Sequence, residues 1–191
     1  QIGFRRDMVT GELIPYHDRI AMSVVLSVAR SNCFDEVVYL GDFADFSEWT
    51  DKFTREPEFY FTTQAMIIET AWFFQQMVLA CPEARHTVLQ GNHEHRFEQH
   101  MINHLRAAYR LKPATEMHLD SPLSIDRMFG FSYMGINLVD DKYPDGEYWV
   151  SMTDVTTADR RLGQGPGLAV GQGRIYLAWS SSMGLIDGVP R

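Results

Sequence analysis

Two short apolar runs, each ending on a cluster of glycine and polar residues, constrain this chain more than anything else in it. Val37-Val38-Tyr39-Leu40 leads into Gly41-Asp42-Phe43-Ala44-Asp45, and Thr87-Val88-Leu89 leads through Gln90 into Gly91-Asn92-His93-Glu94. Apolar runs of this length, bounded by turn-forming residues, match strands buried on both faces, as in a parallel sheet. Each run therefore places polar groups where a buried strand gives way to a loop, which is where open α/β sheets keep their sites.

The segments around these runs follow an alternating pattern. Pro15 precedes an amphipathic helix ending near Asn32, with Ile20, Ala21, Val24, Val25 and Val28 expected on its buried face. A strand is expected over Asp35 to Asp42, then a loop from Phe46 to Tyr60, then a helix from about Thr62 to Ala80 stopped by Pro82. His86 to Gln90 reads as the next strand. Arg96 to Leu111 reads as a helix with Phe97, Met101, Leu105 and Ala108 inward. Helix, strand, helix, strand, helix is an α/β layered pattern. After Pro113 the pattern changes: Phe131 to Leu138 and Glu147 to Val150 are β-like and expected to pair antiparallel through the turn Tyr143-Pro144-Asp145-Gly146. Residues 151–173 hold five glycines with little periodicity, and Arg174 to Trp179 reads as one more strand. The expected organisation is one α/β domain over residues 1–150, with 151–191 as a divergent or out-of-frame tail of it.

At 191 residues, 45% of them hydrophobic and 13% aromatic, the chain is long and apolar enough for one substantial core. Its formal charge of −8 argues against a nucleic-acid scaffold, which would carry a basic stripe. Phosphate substrates remain compatible with that charge, because bound divalent cations reverse the local field. The longest apolar stretch, Ala65 to Ala80, is interrupted by Glu69, Gln75 and Gln76, so no membrane span is expected and a cytoplasmic setting is. Cys33 and Cys81 read as buried thiols in a reducing compartment. The first residue is Gln1 rather than Met, the mark of a processed, trimmed or partial chain.

The two polar clusters hold the groups that metal-assisted attack on phosphorus requires. Asp42, following a glycine at a strand end, can project a carboxylate into a cleft and bridge two divalent ions. Asn92 offers a neutral oxygen ligand. His93 cannot readily face the same ion as its neighbour, which suits it to protonating a leaving alkoxide, with Asp45 holding its tautomer.

In this order, with a helix between them, the two clusters resemble the central motifs of the calcineurin-like metallophosphoesterases. The resemblance covers residues 1–150 and includes Tyr143-Pro144-Asp145-Gly146-Glu147-Tyr148-Trp149. It implies a four-layer α/β sandwich and hydrolysis of phosphomonoesters or phosphodiesters by in-line attack of metal-activated hydroxide. It also implies a pair of divalent ions (manganese, iron, zinc or nickel) and a phosphate-ester substrate, nucleotides and nucleic acids among the candidates. Metal ligation falls to Asp42 and Asn92, and proton transfer to His93 with Asp45.

Two departures stand against it. The family's first motif, Asp-x-His, reads Asp-x-Gln in a subgroup that this chain resembles; Gln1 would then take the histidine position, the alternative being a frayed terminus. The seven histidines (His17, His86, His93, His95, His100, His104 and His118) all precede residue 119, so the family's late Gly-His-x-His is missing. A genuine divergence, a truncated source and a reading-frame slip near residue 151 each account for that. The rival function is a non-catalytic binding or structural module with a degraded metal site. A nuclease acting on DNA ends is a second enzymatic rival, disfavoured by the negative charge.

Other residues have plainer readings. His100 and His104 share a helix face, as solvated positions or as a metal pair, and His95 is expected to point away from the site. Glu94 is expected to pair with Arg96. Phe46, Trp49, Phe59, Tyr60 and Phe61 are expected to pack the loop core, with a wall for a base or aryl group as the alternative. His17 beside Asp18 reads as a helix-start or surface residue, or else as a replacement ligand. The late glycines are not expected to cradle phosphate.

Overall fold

The computed structural model describes residues 1–50, 56–139, 166–171 and 174–179, and the chain is a mixed α/β protein. A hairpin of β1 (Phe4–Arg6) and β2 (Leu13–Pro15) leads into α1 (Arg19–Ser31), β3 (Glu36–Tyr39), α2 (Thr63–Ala80), β4 (Arg85–Leu89) and α3 (Asn92–His104). Two short helices follow, α4 (Ile125–Phe129) and α5 (Phe131–Met134), then β5 (Asn137–Val139), β6 (Pro166–Gly171) and β7 (Arg174–Trp179). Among the described residues the main sheet runs β5–β4–β3–β7–β6. Strands β5, β4, β3 and β7 are parallel to one another, and β6 is antiparallel to β7.

Strand β3 sits inside this sheet, and all four of its residues are buried. Its one charged residue, Glu36, lies opposite Arg85 in the register and accepts from Arg85 Nη2 at 2.6 Å and Nε at 2.9 Å. The charge is thereby compensated where the strand enters the sheet. Parallel pairing of β3 with β4 brings both strands' C-terminal ends, and so both polar clusters, to one edge.

Helix α1 starts at Asp18, whose Oδ1 accepts from the backbone nitrogens of Ile20 (2.8 Å) and Ala21 (3.0 Å). It buries Met22, Val25, Leu26 and Ala29, an i, i+3, i+4, i+7 stripe. Ile20, 78% exposed, and Val24 face outward, so the expected face is rotated. The helix is apolar on several sides, and only the sheet chooses which side is covered; Ala29, fully buried, permits the close approach. Helix α2 buries Met66, Thr70, Phe73, Phe74 and Met77. Phe74 meets Tyr39, Phe43 and Phe131 edge to face, with ring centroids 4.5, 5.2 and 4.9 Å apart, and these rings form the centre of the core.

Several expectations need correction. Phe131 to Leu138 is not one strand: Phe131–Met134 is helical, and Asn137–Val139 pairs parallel, not antiparallel, with β4. Gly130, at φ +73, ends α4 in the left-handed region, and Asp126 Oδ1 accepts from Ser132 N at 3.0 Å, which clamps the tight corner. The helix expected from Arg96 starts earlier, at Asn92, and stops at His104; Leu105 is exposed. The glycine-bearing segment holds a strand, β6, that periodicity missed. Cys33 is exposed, whereas Cys81 is buried, and both are free thiols. The expected strand Glu147 to Val150 and its turn lie outside the described residues. Among the described residues no helix is long and apolar enough to cross a membrane.

Candidate functional site

The two polar clusters meet backbone to backbone. Gly41 has φ +83, and a Cβ there would lie 2.7 Å from Gly91 Cα. A Cβ on Gly91 would lie 2.2 Å from the Asp42 nitrogen. Both positions must be glycine for the loop after β3 to touch the first turn of α3. Asp42 itself adopts φ +52, the left-handed region that Asp and Asn enter more easily than other non-glycine residues.

Glu94 holds this contact together. Its fully buried carboxylate accepts from Gly91 N (2.8 Å) and Asp42 N (2.9 Å) through Oε2, and from Ala44 N (3.0 Å) through Oε1. The expected pairing of Glu94 with Arg96 is therefore wrong: three backbone donors outcompete a side chain that can reach solvent. Burial pushes the Glu94 carboxyl up to about 7, and the Asp42 charge adds to that rise; the three N–H groups act in the opposite direction. Its reach back to the Gly91 N–H is the carboxylate half of a capping box, and glycine has no side chain to supply the other half.

Asp42 and Asn92 converge. A terminal atom of the Asn92 amide lies 3.0 Å from Asp42 Oδ2 and 3.1 Å from Oδ1. With the amide nitrogen at that position, Asn92 donates to the carboxylate; with its oxygen there, oxygens from two loops face one point. Asp42 Oδ1 also accepts from His93 N at 3.0 Å. Only in the second orientation are these hard oxygen donors of the kind a magnesium- or manganese-type cation takes; in the first, Asn92 is a hydrogen-bond donor to Asp42 and not a ligand. Among the described residues no set of three or more His, Cys, Asp or Glu converges on a metal position. A second ion would need donors beyond them.

His93 is buried at the same place. Its Nδ1 faces the Asp45 carbonyl oxygen (3.0 Å), Asp45 Oδ1 (3.3 Å) and Arg96 Nη1 (2.9 Å). Its Nε2 lies 2.8 Å from the Gln1 amide nitrogen. Gln1 is not frayed: next to it, Ile2 N donates to Phe43 O at 2.7 Å and Asp45 N donates to Ile2 O at 3.0 Å. Asp45 is held in turn by Tyr16, whose hydroxyl donates to Oδ2 at 2.5 Å. Burial works against ionisation of Asp45, but hydrogen bonds from His93, Tyr16 and Ser47 outweigh it and keep its carboxyl below the usual range. Burial and the Asp45 charge push the Tyr16 phenol well above its ordinary range. Tyr16 was not singled out from the sequence, and Arg96 only as a partner for Glu94. Arg96 lies one turn after His93, a spacing that could have flagged it, whereas Tyr16 reaches Asp45 across 29 residues with no local pattern.

In comparisons with known proteins, no family model, curated protein or solved structure matches this chain. The likeness to metallophosphoesterases therefore rests on the motif residues alone.

The remaining candidates lie elsewhere. His95 turns along α3 toward Glu98 (3.3 Å) and Gln99 (3.1 Å). His100 and His104 pack ring to ring, with centroids 4.4 Å apart, and Trp49 stands edge-on to His100. His17 is neither a surface residue nor a ligand for the Asp42–Asn92 pair. Its ring is buried, with Nε2 2.8 Å from Glu69 Oε1 and Nδ1 3.0 Å from Gly3 O, where it pins the β1–β2 hairpin to α2. A cavity of about 340 Å³, lined by Gln90, Phe97, Met101, Tyr109, Ile125 and Leu138 among others, shares α3 with the site, but none of the four motif residues lines it.

Proposed function

We propose that this chain is a metal-dependent phosphoester hydrolase built on a calcineurin-like layered sandwich. The convergence of the Asp42 carboxylate and the Asn92 amide to 3.0 Å, with His93 beside them, carries this reading. Asp42 and Asn92 would hold a divalent cation. When bound, such an ion neutralises phosphate charge and lowers the pKa of water.

The chain's own side chains supply the rest. His93 is steadied at Nδ1 by Asp45 and has the Gln1 amide nitrogen 2.8 Å from Nε2, so delivery of a proton from Nε2 requires the leaving oxygen to take the place of the Gln1 amide. Tyr16 fixes the Asp45 carboxylate, and Glu94 fixes the spacing between the two loops. The Arg96 guanidinium, with Nη1 2.9 Å from His93 Nδ1 and 3.5 Å from the Asp45 carbonyl oxygen, adds positive charge behind the imidazole.

A non-catalytic module is favoured by the lack of a larger ligand cluster among the described residues. Elemental analysis, together with hydrolysis of bis(4-nitrophenyl) phosphate and 4-nitrophenyl phosphate in added manganese, separates the two readings. Turnover that disappears in Asp42→Asn and His93→Asn supports the hydrolase. Absence of both bound metal and turnover in the unaltered protein supports the module.

A further inference from the structure

Aromatic rings beyond Asp45 form two groups, Tyr16 with Phe59 and Phe61 with Arg6. Tyr16, whose hydroxyl is on Asp45, leaves its ring 43% exposed and meets Phe59 edge to face, with centroids 6.4 Å apart. Two residues further on, Phe61 is 76% exposed. Its exposure is built in: Phe61 sits at φ +60, a conformation that bulky residues avoid, and its N–H donates to Glu48 Oε1 at 2.8 Å. The other Glu48 oxygen accepts from Thr63 Oγ1 at 2.6 Å, which fixes the turn to the start of α2. The expectation that these aromatics pack the loop core holds for Phe46 and not for Phe61.

The second group also carries positive charge. The Arg6 guanidinium lies over the Phe61 ring at 5.6 Å, and Arg6 Nε is a buried donor with no partner among the described residues. Arg5 beside it is exposed. In a chain of formal charge −8, aromatic faces and guanidinium groups on segments tied to Asp45 through Tyr16 form a local match for a ligand that is itself aromatic and anionic.

We propose that Tyr16, Phe59, Phe61 and Arg6 form a subsite for the aromatic base of a nucleotide ester whose phosphate lies at the Asp42–Asn92 pair. The phosphate half of this rests on the hydrolase reading; the base half rests on the aromatic rings. Every base has a π-face, so the subsite would accept purines and pyrimidines alike, with a modest preference set by stacking strength.

Calorimetric binding of adenosine 5′-monophosphate and of ribose 5-phosphate to the full chain, in manganese, tests it. Stacking of one base contributes about 1–3 kcal/mol, so the nucleotide should bind roughly 5- to 150-fold more tightly. Phe61→Ala should shrink that ratio while leaving ribose 5-phosphate affinity unchanged, and Phe61→Tyr should retain it. Equal affinity for the two ligands, binding of neither, or a ratio indifferent to Phe61→Ala overturns the subsite. Turnover of an aryl phosphodiester with equal affinities would sink the subsite alone. A nucleotide preference without any turnover would keep the subsite and sink the hydrolase.

Discussion

Gly91 and Asp42 are in contact through their backbones, with the space for a Gly91 side chain filled by the Asp42 nitrogen at 2.2 Å. The candidate site exists because two loops from neighbouring parallel strands close to this distance. Gly91 has φ −89, so a replacement there is not strained by its own backbone and is a purely steric test. Gly91→Ala should push the loops apart, cost about 1–3 kcal/mol in denaturant unfolding, and weaken manganese binding measured by calorimetry. An alanine variant with wild-type stability and wild-type metal affinity would show that the contact is dispensable.

Removing the Glu94 carboxylate should be more damaging than its distance from the substrate suggests. Glu94→Ala orphans three backbone donors, at about 1–3 kcal/mol for each one left buried and unsatisfied. Glu94→Gln does little better, since its amide nitrogen must face at least one N–H. Both variants should lower Tm by thermal scanning, with Glu94→Gln the milder.

The same residue gives the metal-free protein a pH dependence. Burial raises the Glu94 carboxyl to about 7 in the folded chain, above its ordinary value of 4.5. The folded state therefore binds the proton more tightly than the unfolded one. The stability from this group is fully present below pH 4.5 and is lost as pH rises through about 7. Subtracting the stability–pH curve of Glu94→Gln from that of the unaltered chain should isolate this decline. A difference curve that is flat between pH 4.5 and 8 would contradict it.

Asp42→Asn separates site from fold. Asparagine tolerates the left-handed φ of +52 at least as well as aspartate, so unfolding free energy should change by less than about 0.5 kcal/mol. Manganese affinity and phosphodiester turnover should both fall by more than tenfold. Loss of fold along with function would mean that the Asp42 carboxylate is structural.

Tyr16→Phe keeps the ring and removes the hydroxyl that holds Asp45. Asp45 would then orient His93 less firmly, and kcat should drop roughly tenfold, about 1.4 kcal/mol, with KM little changed. An effect confined to KM would place Tyr16 with the substrate rather than behind Asp45.

The α/β layering, the parallel pairing of the two buried strands and the candidacy of Asp42, Asp45, Asn92 and His93 were legible from local pattern. Each strand is a run of apolar residues with a turn at its end, and such patterns lie within a dozen residues of sequence. The face of α1 was not legible, because Ile20 and Val24 are as apolar as the residues that became buried. Nor was the split of Phe131 to Leu138 into a helix and a strand, which depends on Gly130 and on the Asp126 clamp.

The sequence by itself determined which groups stand at the strand ends, because those positions follow directly from the order of residues along each strand. Only the tertiary structure decided what those groups do to one another. Glu94 as the tie between loops, Tyr16 behind Asp45 and the Asn92 amide against Asp42 join residues 29 to 52 positions apart or sit on separate loops. Such contacts form only when the sheet brings its ends together, and no local pattern encodes that distance.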